Sequence, residues 1–134
     1  MIRVGLQLDA RGHVVILSCW GHAGLTVEDG GEDLLCAGVS ALSGALALGL
    51  SQVVGASVCL KEDYGFFYVR LEHMEADRAE KAQILMKTAV VALEELAKYN
   101  VGFLEIERYA YPQLLPECEN LYALALEQNK DGES

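Results

Sequence analysis

An α+β sandwich is the fold class this sequence predicts, and three observations predict it. Short apolar runs come in pairs joined by tight turns, the pairs are separated by stretches with helical spacing, and one further alternating run closes the series. The resulting order is ββαββαβ, which describes a two-layer arrangement: a largely antiparallel sheet with two helices on one face.

The first pair is residues 2–8 and 14–19, flanking Asp9-Ala10-Arg11-Gly12 as a hairpin turn. A polar, glycine-rich loop follows over residues 21–31. Gly21, Gly24, Gly30 and Gly31 give it backbone freedom, so it is expected to move. Asp33 suits a helix N-cap, and from residue 34 to about 52 the chain is small and apolar, with Val39, Leu42, Leu46 and Leu50 at helical spacing. That composition predicts a helix buried almost throughout. Residues 58–62 and 66–71 form a second hairpin around Asp63-Tyr64-Gly65, with aromatic and β-branched residues on both sides. A longer helix spans about 75–99, with Ile84, Val91, Leu93 and Leu96 among its apolar positions and Asp77 and Glu80 near its positive end. Residues 103–109 alternate and read as the last strand. Residues 1–110 are thus one domain. Residues 111–134 read as a C-terminal extension in which Pro112 and Pro116 break regular structure, a short helix covers 119–128, and a polar tail follows.

Size and charge narrow the function. At 134 residues the chain supports a single hydrophobic core. Ten Lys and Arg against 20 Asp and Glu leave a net charge of −10, which repels phosphate backbones and favours a basic polypeptide partner over nucleic acid. Residues 1–6 alternate like a strand and lack the features of a signal peptide. The apolar stretch over 34–50 is interrupted by serines and glycines and is shorter than the roughly 20 residues that cross a bilayer, so a cytoplasmic, membrane-free protein is expected. Cys19, Cys36, Cys59 and Cys118 form no C-x-x-C pair; free thiols are expected, with no metal and no cofactor.

The stretch that carries chemistry runs from Gly21-His22-Ala23-Gly24 to Gly31-Glu32-Asp33-Leu34-Leu35-Cys36-Ala37-Gly38-Val39-Ser40. A cysteine at the third helical position after an Asp33 cap lies where backbone N–H groups and the helix dipole favour a thiolate. His22 is the available base, able to take the thiol proton and return it to a leaving amine. Ser40, four residues on, shares the helix face of Cys36. The amide of Cys36 and those of the preceding loop are candidate oxyanion donors. Asp33 is a cap first and an orienting partner for His22 second. Glu28, Asp29 and Glu32 either attract a basic peptide or keep the loop solvated. Read from residues alone, a cysteine in an Ala/Leu/Gly/Val helix is equally a small core residue. Tyr64, Phe66, Phe67 and Tyr68 read as sheet core, and Cys19, Cys59 and Cys118 as packing residues.

The block from Gly21-His22-Ala23-Gly24 through Gly31 and Asp33 to Cys36-Ala37-Gly38-Val39-Ser40-Ala41-Leu42 resembles the signature of the ribosomal-processing cysteine protease family, also called Prp. The resemblance extends over about residues 2–109, with its specific part between His22 and Ser40. It departs from the pattern in a slightly longer His-to-Cys stretch, in Gly38 where alanine is expected, and in the added C-terminal segment. It implies a homodimeric endopeptidase that removes the N-terminal extension of a large-subunit ribosomal protein with a Cys36/His22 dyad, Ser40 standing at the family's active-site serine. Gly21, Ala23, Gly24, Gly31 and Asp33 are then supporting or substrate-binding residues. The alternatives are a non-catalytic module that binds a ribosomal protein or assembly intermediate, and a thioesterase or amidase acting on a small substrate.

Overall fold

The computed structural model describes residues 1–22 and 32–133, the side chains of 32, 33 and 129–133 excepted. Its elements are β1 (Ile2–Leu8), β2 (Val14–Trp20), α1 (Glu32–Leu48), β3 (Val58–Asp63), β4 (Phe66–Leu71), α2 (Ala76–Tyr99), β5 (Leu104–Ala110) and α3 (Cys118–Glu133). The sheet order is β3-β4-β2-β1-β5. All neighbours run antiparallel except β1 and β5, which are parallel; α2 carries the chain from β4 across the sheet to β5. The expected α+β class and element order are those observed.

Strand alternation sends one set of side chains to each face of the sheet. Ile2, Val4 and Leu6 of β1, Leu17 and Cys19 of β2, and Phe67 and Val69 of β4 share a core with Leu35, Val39, Leu46 and Leu50 of the α1 segment and Met86, Val90 and Leu93 of α2. The opposite set, Trp20, Phe66 and Tyr68, packs under Leu115, Leu121 and Ala125. The segment from Leu115 to Ala125 therefore covers part of the sheet's second face. Helix α3 also runs to Glu133, past the end expected from sequence, so residues 129–133 of the expected polar tail continue the helix.

A buried glutamine fastens that second layer. Gln7 is 6% exposed. Its Nε2 donates to the carbonyls of Leu8, Tyr109 and Gln113 at 3.0–3.1 Å, and its Oε1 accepts the Leu115 amide at 2.6 Å. Beside it Gly5 leaves room for Leu115, whose Cδ1 lies 2.6 Å from where a Cβ at Gly5 would stand. Gln7→Leu strands several buried backbone groups and is expected to cost about 3 kcal/mol, read as a lower urea midpoint at unchanged slope.

Two expectations need correction. The α1 segment is not buried almost throughout: Leu34 and Leu48 are 74% and 56% exposed, because only its Leu35–Val39–Leu46–Leu50 side meets the sheet. It also continues through a wider π-helical turn, Gly49–Val54, so its 21 residues from Leu34 to Val54 are long and apolar enough to cross a membrane; the sheet-facing side nevertheless packs in the core. In α2, Leu93 is buried and Leu96 partly so, whereas Ile84 and Val91 are 66% and 64% exposed on the outer side. Helical spacing marks apolar positions but not which of two apolar stripes meets the core.

Candidate active site

Strand β2 ends at Trp20, and the chain turns at Gly21, whose φ of +97° suits glycine. The Gly21 amide donates to the Gly65 carbonyl at 3.0 Å, extending the β2–β4 ladder by one rung. Trp20 pairs with Phe66 in that ladder. Continued by two residues on each strand, the register sets His22 opposite Tyr64, and their rings lie with centroids 4.9 Å apart at 42°.

Cys36 comes from α1. The helix begins at Glu32, ahead of the expected cap, so Asp33 lies within its first turn and Cys36 opens the second. Free amides and the dipole are properties of the first turn, and an amide at the fifth residue falls within the i→i−4 ladder. The free N–H donors thus lie just ahead of Cys36 in the chain, and its own amide is not among them. The half-buried Cys36 packs at the edge of the core. Ser40, one turn later, is exposed.

Gly21, His22, Cys36 and Ser40 line one pocket of about 350 Å³ between the end of β2, the first half of α1 and the β3–β4 turn. Cys19 and Ser43 contribute to its wall; both are buried, and the Ser43 hydroxyl lies 3.9 Å from the Cys19 sulfur. Burial pushes the Cys19 thiol up to about 12, with the Ser43 hydroxyl opposing it, so this second thiol at the pocket stays protonated. Cys118, away from the pocket, is also raised by burial. Of the two cysteines that line the pocket, the partly buried Cys36 is therefore the one suited to reaction.

Ala23, Gly24, Gly31 and the loop acids Glu28 and Asp29 lie outside the described residues, as do the side chains of Glu32 and Asp33. The β3–β4 turn is the part of the site that sequence reasoning assigned elsewhere. Phe66, Phe67 and Tyr68 are sheet core as expected, but Tyr64 is 77% exposed and lines the pocket with Glu62 and Asp63. The signal lay in strand pairing: once β4 is set antiparallel to β2, the turn before it must face the residues after β2. The pocket thus brings an imidazole, a thiol and the carboxyl-bearing residues Glu62 and Asp63 into one lining.

The family model described as cysteine protease Prp matches residues 1–104. The ribosomal processing cysteine protease Prp of Bacillus subtilis (strain 168) is 32% identical over 101 residues, covering 73% of this chain and 88% of that one. A crystal structure of a Streptococcus mutans protein superposes with a TM-score of 0.68 at 26% identity, over 82% of this chain and 95% of that one. The fold is also that of the essential ribosomal processing protease Prp from S. aureus in complex with a covalently linked product peptide. There the TM-score is 0.70 at 23% identity, over 81% of this chain and 99% of that one.

Proposed function

The chain belongs to the Prp family of cysteine proteases, and from that premise we propose that it removes the N-terminal extension of a large-subunit ribosomal protein in the cytoplasm, using Cys36 as nucleophile and His22 as base. The observation that carries this reading is a single pocket lined by both residues, with Ser40 on the same helix. Cys36 Sγ gives its proton to His22 and attacks the scissile carbonyl. The resulting oxyanion is met by amides of the first turn of α1. His22 then protonates the leaving amine as the C–N bond breaks, leaving an acyl group on the sulfur. Water, deprotonated by His22, releases it. Ser40 serves as a hydroxyl partner for the sulfur or the bound peptide. The Glu62 and Asp63 carboxylates at the rim, with a net charge of −10 behind them, favour a substrate that is basic beyond the cleaved bond.

The test is to incubate the protein with the extended ribosomal protein from the same cell and weigh the products. One lost N-terminal peptide is the expected result. Tight binding with no change in mass would instead support a non-catalytic module.

The same reading includes a homodimer. The exposed apolar side chains Leu48, Ile84 and Val91 lie on the outer side of the helical layer, where a second copy would cover them. Light scattering is expected to give twice the chain mass, and Ile84→Glu with Val91→Glu to give the single-chain mass at an unchanged far-UV spectrum.

A further inference from the structure

Helix α3 lies beyond residues 1–104, which the family model matches, yet it touches both segments that carry the imidazole side of the pocket. The first contact is at the β3–β4 turn. The Tyr122 hydroxyl of α3 donates to Asp63 Oδ2, and the other oxygen of that carboxylate, Oδ1, accepts the Tyr64 amide at 2.7 Å. The Tyr64 ring in turn lies against His22. A single carboxylate therefore links the helix to the residue that packs on the imidazole. The second contact is at Gly21, the residue before His22: Gln128 Oε1 occupies the space where a Cβ there would stand, 2.2 Å from that position.

Tyr122 is itself held in place. Its ring meets Phe66 edge-on at 5.2 Å and carries the Lys61 ammonium 4.0 Å above its centroid. Its helix is anchored by Leu121 and Ala125, each 1% exposed. The fixed hydroxyl, and secondarily the Tyr64 amide, hold the Asp63 carboxyl below its ordinary range, so the acceptor is a carboxylate at neutral pH and the two hydrogen bonds are charge-assisted.

We infer that α3 is a brace for the active site, in which Tyr122 and Asp63 are positioning residues that fix Tyr64 against His22 and Gln128 backs the Gly21 turn. The inference rests on the reading of His22 as the catalytic base. An imidazole that must both accept and deliver a proton gains from one held orientation, and a ring packed against an exposed turn keeps that orientation only if the turn is tied down.

Tyr122→Phe keeps the ring, its Phe66 contact and the Lys61 contact while removing the hydroxyl. In the full chain it is expected to shift the His22 ring proton resonances, which sense the ring current of Tyr64. It should lower kcat about three- to tenfold, the equivalent of one lost hydrogen bond, with KM changed less than about twofold. His22 resonances unmoved by the substitution would overturn the brace, and so would moved resonances with unchanged kcat, since the contact would then be structural only. Cys36→Ala, assayed alongside, separates the two claims. If it cleaves like the wild type the catalytic reading fails, whatever Tyr122→Phe does to His22. If it is inactive while Tyr122→Phe is silent, the brace alone fails.

Discussion

Cys36→Ala is expected to lower peptide cleavage by at least about a thousandfold, because no second thiol at the pocket can replace it. Cys19 is the nearest candidate in the pocket wall, but its thiol is pushed up to about 12 by burial and touches Ser43. Cys36→Ser is expected to fail nearly as completely, since a hydroxyl with the same neighbours is a far weaker nucleophile at neutral pH. Stability separates chemistry from folding here. Cys36 is half-buried at the edge of the core, so truncation to alanine removes one sulfur from a partly solvated place and should cost about 1 kcal/mol or less. The variant should melt close to the wild type and still bind the uncleaved peptide, measurable by titration. Activity retained above about a tenth of wild type would remove Cys36 from the mechanism.

Gly21→Ala is expected to damage stability and catalysis together. The residue has φ +97°, a conformation that costs an L side chain about 1–3 kcal/mol. An added Cβ would also stand 2.5 Å from the Met1 carbonyl oxygen and 2.2 Å from Gln128 Oε1. The glutamine has a flexible end that can swing aside. The Met1 carbonyl is backbone next to β1 and gives way only if the strand end moves. The chain would then shift at Gly21, and His22 is the next residue. Urea unfolding should show a loss of about 3 kcal/mol or more, and cleavage measured well below the melting temperature should fall more than tenfold. An equivalent loss of stability with full activity would show that the turn positions the strand but not the imidazole.

Much of the fold was legible in the sequence because strands and helices bury different periods. Hairpin turns at Asp9–Gly12 and Asp63–Gly65, and the alternation in β1 and β5, located the sheet strands. The place of α3 on the second face was not legible, since the segment leading into it is held by Gln7 and Gly5, whose roles appear only when Leu115 is brought over β1. Nor was the exposed side of α1: a helix of Ala, Leu and Gly carries no polar stripe to mark its outer face. At the site, His22, Cys36 and Ser40 were named from local sequence and do share a pocket. Tyr64 was read as sheet core and Asp63 as part of a turn, because they enter the site through antiparallel pairing of β2 with β4, a contact between segments more than forty residues apart. Tyr122 was harder still, since nothing near it in sequence hints at an active site.

The most direct measurement of the Cys36–His22 partnership is alkylation by iodoacetamide at neutral pH, mapped by peptide mass to each of the four cysteines over time. The expected result is that Cys36 is modified first, well ahead of Cys19 and Cys118, whose thiols burial holds protonated, and that His22→Ala slows its modification severalfold without changing the others. Modification of Cys36 no faster than that of Cys118, and unaffected by His22→Ala, would contradict the account.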